Sequence, residues 1–317
     1  MKQLFTLVAL TGCLLASAQE TKKDTSYWKT SGFFGLNFSS TTLSDWQGGG
    51  QNNVAINGII NLEAKYKKDK QEWVNKFDGQ LGFIRPGDAD KFRKNIDQIF
   101  ALSKYNMNAF NKYWYYAAQV DYRTQFAPGY NYTGDVRQEP AVSDFNSPGY
   151  VQLALGLDFK PVNYFSATFA PAAGKMTFVN RQYLADAGAF GVEKAVRDAS
   201  DNIITPGKKM RAEFGGRVIL KFKKDLTKTM NLDSYLDLFS NYMHNPGNID
   251  VVFNNLLTIK LNKYFTANVI SQLVYDDDII RVRDFDKNGI IDASKGEFSG
   301  PRLQSLTTFA IGFGYKF

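Results

Sequence analysis

The sequence predicts an all-β protein: a transmembrane, antiparallel, up-and-down β-barrel of about twelve strands, with ten or fourteen as the neighbouring counts. Three observations predict it. In residues 303–317, Leu303, Thr307, Phe309, Ile311, Phe313, Tyr315 and Phe317 occupy odd positions, against Gln304, Thr308, Ala310, Gly312, Gly314 and Lys316 at even ones. Successive side chains on a strand point to opposite faces, so this strand has one apolar face and one small or polar face. An aromatic-tipped stripe of this kind suits the closing strand of an outer-membrane barrel, with its apolar face in lipid; a strand of an ordinary sandwich is the competing reading. The second observation is that the same alternation recurs along the chain in runs of nine to thirteen residues. A tilted strand needs about 9–11 residues to cross a bilayer, whereas strands of soluble sheets run to about 5–6. Third, short and long connections between these runs alternate.

The chain opens with Lys2, an apolar stretch over residues 4–15 and the A-x-A sequence Ala16-Ser17-Ala18, which together read as a signal peptide over residues 1–18 cleaved before Gln19. Leu10-Thr11-Gly12-Cys13 also reads as a lipoprotein signal, although the apolar residues after Cys13 argue for ordinary cleavage. Residues 19–26 form a polar lead, and the barrel occupies 27–317. No later apolar run approaches the roughly 18 residues of a spanning helix.

Strands are expected near 27–39, 51–67, 72–85, 95–105, 111–126, 149–159, 164–175, 209–223, 231–242, 250–261, 264–280 and 303–317. The short links follow the second, fourth, sixth, eighth and tenth of these. The long ones cover 39–51, 85–95, 126–149, 175–209, 242–250 and 280–303, and hold Pro86-Gly87, Pro128-Gly129, Pro206-Gly207 and Pro246-Gly247 as turn formers. Short periplasmic turns and long extracellular loops are how such barrels are built, and this arrangement leaves both termini in the periplasm. The closing strand would then be the segment that the barrel-assembly machinery engages.

Composition excludes several classes. The net charge of +7 over 317 residues is spread among acids with no basic block, which argues against nucleic acid. The single cysteine, Cys13, falls within the signal, so the mature chain has neither disulfide nor thiolate metal site. His244 is the only histidine, and neither it nor Ser240 four residues earlier sits in a catalytic motif. The chain is therefore not expected to be an enzyme.

Two sets of residues carry potential function. Glu63, Lys76, Asp78, Asp121, Arg123, Asp158, Arg211, Glu213 and Arg217, joined by Lys65, Asp97, Asp233 and Asp237, occupy the polar faces of their strands. A Lys or Arg on the lipid face at midplane costs about 2–4 kcal/mol, so the lumen is their place. Two readings stay open for them: a mutually neutralising network that fills a narrow barrel, or the lining of a selective channel. The second set is Asp284, Asp286, Asn288, Ile290 and Asp292, spaced D-x-D-x-N-G-x-x-D like the first nine positions of a calcium loop. Lys295 stands where the bidentate glutamate belongs, and Glu297 follows two residues later as a possible extra ligand. Weak Ca²⁺ binding or an ion-free acidic turn are the alternatives. Residues 183–195, in the longest loop, are too apolar for free solution and suit a short helix folded into the barrel mouth.

The segment 37–53, with its core Asp45-Trp46-x-Gly48-Gly49, and the strand that follows, ending in Lys65-Tyr66, resemble an uncharacterised Bacteroidota family, domain-of-unknown-function 3078. The block at 184–192 is similar to that family too. The resemblance spans the mature chain and implies an outer-membrane barrel of unassigned function, with no active site to carry over. On this reading the function is a narrow or plugged passive pore for small solutes; the alternative is a non-transporting accessory or adhesion-type barrel whose outer loops bind an outer-membrane protein partner.

Overall fold

A computed structural model describes residues 26–41, 53–87, 89, 91–262, 264–279, 281–283, 292–295 and 297–316. The signal peptide, Cys13, the Asp45-Trp46 segment, most of the calcium-like loop and Phe317 lie outside the described residues.

Twelve strands close a barrel. They are β1 (Trp28–Thr41), β2 (Asn53–Lys68), β3 (Gln71–Pro86), β4 (Arg93–Asn108), β5 (Trp114–Thr124) and β6 (Gly149–Val162), then β7 (Phe165–Phe178), β8 (Met210–Asp225), β9 (Met230–Asn241), β10 (Ile249–Lys260), β11 (Phe265–Tyr275) and β12 (Gln304–Lys316). Each pairs antiparallel with its sequence neighbours, and β12 returns to β1 with Phe33 opposite Lys316 and Asn37 opposite Gly312. Closure removes every free sheet edge. The run expected over 264–280 is shorter: β11 stops at Tyr275, because Asp276–Asp278 turn back, the Asp278 amide donating to the Asp276 carboxylate at 3.1 Å.

The short turns gather at one end. Two of them are two residues long, and in the one between β2 and β3 Asp69 stands at φ 49, a left-handed backbone that Asp tolerates. Pairs of aromatic rings mark the same end: Trp28 with Tyr66 and with Trp73, Trp114 with Phe159, Tyr164 with Phe222, and Tyr264 with Phe313, all with centroids 4.8–5.9 Å apart. Lys68 and Lys224 lay their ammonium groups over Tyr27 and Tyr164. Amphipathic rings and reaching lysines are the composition of a membrane–water interface.

Burial is inverted relative to a water-soluble protein. Phe309 is 77% exposed and Leu155 59%, whereas Asp121, Asp158 and Arg217 are at most 2% exposed. Alternation produces this directly: along β5, Tyr116, Ala118 and Val120 are exposed while Ala117, Gln119 and Asp121 are buried. The apolar face is outside and the polar face is inside, the arrangement a lipid surround selects. No helix among the described residues is long and apolar enough to cross a membrane.

One irregularity shapes the interior. The β6–β7 register shifts between Leu155 and Leu157, and the β7–β8 register between Gly215 and Arg217, so a bulge crosses three strands at Pro171. A Cβ on Gly156 would collide with the Phe169 carbonyl oxygen, so this close approach requires glycine. The bulge flips the parity of β7: Thr168 and Ala170 point inward before it, Ala173, Lys175 and Thr177 after it.

Two long connections fold on themselves. The β5–β6 loop carries a hairpin, Gly129–Thr133 with Val136–Ser143. The β7–β8 loop holds a one-turn helix, Gln182–Asp186, and a small hairpin, Val196–Arg197 with Ile203–Thr205. The apolar block expected at the barrel mouth builds a core of its own here: Val179, Leu184, Ala185 and Val192 are buried, with Ala189 and Phe190 packed against them.

Candidate functional site: the barrel lumen

The inward faces meet across the barrel. Arg217 on β8 donates from Nη1 to Asp121 on β5 at 2.7 Å, although β6 and β7 lie between those strands. Neighbouring strands are about 4.7–4.9 Å apart along the wall, so this pair spans the interior. Arg217 also holds Asp237 on β9 through Nε at 2.8 Å and Nη2 at 2.7 Å, a bidentate fork. Asp237 receives Arg123 from β5 at 3.3 Å and the Tyr235 hydroxyl at 3.1 Å. Five side chains from β5, β8 and β9 thus form one crossbeam.

Nearer the short-turn end is a second set. Lys104 on β4 lies 2.9 Å from Asp158 on β6 and donates to Thr168 on β7 at 2.8 Å, while Thr168 donates to Asp158 at 2.7 Å. Lys160 on β6 and Lys65 on β2 both close on Glu72, each at 2.5 Å. In the same half of the barrel, Lys76 pairs Glu63 at 3.1 Å, Lys223 pairs Asp233 at 3.0 Å, and Asn61 donates to Asp78 at 2.7 Å.

Toward the long loops, Lys175 on β7 reaches Asp250 on β10 at 2.6 Å and Asp276 beyond β11 at 2.7 Å. Lys94 and Asp97 pair at 2.7 Å, and Asp97 accepts the amides of Phe126 and Ala127, which anchors the root of the β5–β6 loop to the wall. Arg211 binds Glu213 at 3.0 Å, the Asp278 carboxylate, and the Gly191 carbonyl at 3.2 Å. The β7–β8 loop therefore touches the barrel rim through Gly191, and it meets the β5–β6 loop where Arg181 donates to Asp144 at 2.6 Å and Tyr183 to the Ala141 carbonyl at 2.8 Å. A carboxylate closes the loop itself: Asp186 accepts Gln182 at 2.7 Å and the Gly207 amide at 2.8 Å. These bonds to the charged form hold its carboxyl below the ordinary range, the Gln182 contribution being larger.

Each of the nine charged positions expected in the lumen takes an ion pair or hydrogen bond among those above. Lys104, Lys160, Lys175, Asp250 and Asp276 were not among the nine. On β4, Arg123 stacks over the inward ring of Phe100 and Leu102 is buried beside Lys104, so an apolar inner face hid the alternation. The Pro171 bulge reversed the parity that would have flagged Lys175.

Of the calcium-like set, Asp284, Asp286, Asn288 and Ile290 lie outside the described residues. Asp292 accepts the Ser294 amide and hydroxyl at 2.9 and 2.6 Å, and Glu297 accepts the Asp292 amide at 2.9 Å. Among the described residues no three acidic, histidine or cysteine side chains converge as a metal site. Ser240 donates to the Pro246 carbonyl at 2.7 Å, and the His244 ring lies 3.2 Å from the Asn245 side-chain amide.

Fold and site together define a closed β-barrel with a charge-bridged interior. Residues 38–130, from β1 into the β5–β6 hairpin, match the family described as Protein of unknown function (DUF3078); the 184–192 block lies outside that match. No curated protein matches the chain. Among solved structures it is similar to the COG4313 outer membrane channel from Pseudomonas putida F1, at 11% identity and TM-score 0.38 over 93% of this chain and 100% of that one. It is also similar to the translocator domain of autotransporter NalP from Neisseria meningitidis, at 9% identity and TM-score 0.37 over 100% and 98% of the two chains. Salmonella typhi OmpF, in complex with daunomycin, is similar at 9% identity and TM-score 0.29 over 92% and 97%. At these scores the likeness is one of general barrel form.

Proposed function

We propose that this is an outer-membrane β-barrel of a Gram-negative bacterium, in an uncharacterised Bacteroidota family, exported by the signal at residues 1–18 and serving as a narrow or plugged passive pore for small solutes. The observation that carries the reading is the Arg217–Asp121 bridge, which crosses the interior between strands three apart in the wall and places a buried guanidinium in the lumen. An eight-stranded barrel is filled by side chains and one of about 16–18 strands leaves a channel, so twelve strands with a crossbeam suit a restricted passage. Planar-bilayer recording from the refolded protein tests the pore: steady single channels of small conductance support it, and silence counts against it.

A second reading is favoured by the loops. Val136, Phe145, Val196 and Ile204 are each more than half exposed on the long connections, beyond the lipid-facing strands. Such a surface suits an accessory or adhesion-type barrel that binds an outer-membrane protein, and affinity purification from native outer membranes would test it. For the last long loop we propose weak Ca²⁺ binding by Asp284, Asp286, Asn288, the Ile290 carbonyl and Asp292, with the Asp292 carboxylate exchanging its Ser294 contacts for the ion. No enzymatic role is proposed, and the barrel-assembly machinery would engage the protein through β12.

A further inference from the structure

Above the crossbeam, at the long-loop end of the lumen, lies a half-enclosed cavity of about 430 Å³. Small-molecule sites are typically about 300–1,000 Å³, mostly apolar, with a few convergent polar groups. We propose that this cavity binds an uncharged polyhydroxylated solute, of the class of a mono- or disaccharide. The proposal deepens the pore reading by naming its solute, and rests on that reading for the cavity's place on a transport path.

Charge balance is the first support. Every charged side chain in the lining is already engaged: Lys94 with Asp97 at 2.7 Å, Arg123 with Asp237 at 3.3 Å, and Lys175 with Asp250 and Asp276 at 2.6 and 2.7 Å. A charged ligand would enter without a free counter-charge and would lose hydration it could not replace. A neutral one meets no such cost.

Uncommitted hydrogen-bonding groups are the second. Asn95, Gln98, Gln152 and Gln272, with the Tyr150 hydroxyl, all line the cavity, and their side-chain polar atoms make no hydrogen bond among the described residues. Each amide offers two donors and one acceptor, and the phenol offers one of each. A sugar hydroxyl also both donates and accepts, so this mixed set matches a polyol better than it matches an ion of either sign. Phe239, Val252 and Val274 supply apolar surface to the same cavity, against which the C–H faces of a sugar ring can pack.

The test compares three probes of one ring form: glucose, glucuronate and glucosamine, with sucrose as the larger neutral solute. Binding to the refolded wild-type protein in detergent is measured by saturation-transfer NMR and calorimetry, which require no flux. Glucose or sucrose should bind, glucuronate and glucosamine more weakly by roughly tenfold or more, and the Gln98→Leu/Gln152→Leu/Gln272→Leu variant should lose roughly tenfold or more in affinity for the neutral sugar. Heat-modifiable gel mobility verifies that the variant is folded; should it fail, Gln152→Leu and Tyr150→Phe singly give the same readout. No binding of either neutral sugar, equal binding of glucuronate, or unchanged affinity in the folded variants would overturn the proposal. Sugar entry into liposomes is scored separately: binding without entry sustains the site and overturns the pore, and entry without binding does the reverse.

Discussion

The guanidinium of Arg217 lies 2.7 Å from the carboxylate of Asp121, although β6 and β7 separate the two residues along the wall. The same guanidinium forks onto Asp237, so one fully buried cation bridges two buried acids. Such a triad is worth little net stability over a well-packed apolar plug, yet removing one member is costly because the others remain charged and unpaired. In the proposed pore the geometry has a further effect, since the crossbeam would stand in the solute path.

Arg217→Met should accordingly lower stability by about 3–5 kcal/mol, the cost of leaving Asp121 buried with no cation and Asp237 with Arg123 alone. Adding Asp121→Asn should recover much of that loss, since Asp237 keeps Arg123. Urea unfolding followed by heat-modifiable gel mobility measures both. A single variant as stable as the wild type would show that the triad does not hold the wall together.

The β7–β8 loop should respond to pH through Asp186. Its folded carboxyl is held below the ordinary value by Gln182 and the Gly207 amide. A depressed acid stabilises the fold fully above its unfolded pKa and loses that contribution as pH falls through the folded one. Hydrogen exchange at Gly207, corrected for the intrinsic rate, should therefore accelerate as pH drops below the ordinary carboxylate range. Asp186→Asn should remove the pH dependence; identical profiles in the two proteins would dismiss the clasp.

Deleting residues 183–195 removes the loop's apolar core and the Gly191 carbonyl that Arg211 holds at the rim. Small-solute conductance should rise, because the loop no longer leans over the mouth. Unchanged conductance with normal folding would place the loop off the solute path.

Ca²⁺ should stabilise the folded protein weakly, as extracellular sites bind at about 10⁻⁴–10⁻³ M. Calorimetry on the folded barrel should show heat that disappears in Asp284→Asn/Asp286→Asn. No heat, together with a melting temperature unaffected by chelator, would end the metal assignment.

The barrel was readable because lipid imposes a rule on the sequence: one face of every strand must be apolar, as Tyr116 and Val120 are opposite Gln119 and Asp121. Strand ends were less legible, as at Tyr275, where a turn made by Asp276 and Asp278 prolongs the polar alternation without prolonging the strand. Inward direction could be read for Arg217, Asp121 and Asp237 from parity alone. Their partnership could not, because nothing local links residues 96 positions apart. Lys104 and Lys175 escaped for two physical reasons: inner faces also accept Phe100 and Leu102, and the bulge at Pro171 shifts the count by one. Self-contained folding of the β7–β8 loop was half visible, in an apolar block that needed burial somewhere and found it in Val179 and Val192.

The central claim is that Arg217 closes the middle of the lumen, and paired single-channel recordings address it most directly. Wild-type protein and folded Arg217→Ser would be reconstituted in the same planar bilayers. The wild type should show small steady channels or brief, rare openings, and the variant a clearly larger steady conductance. Equal conductance in the two proteins, or a large open channel in the wild type, would contradict the account.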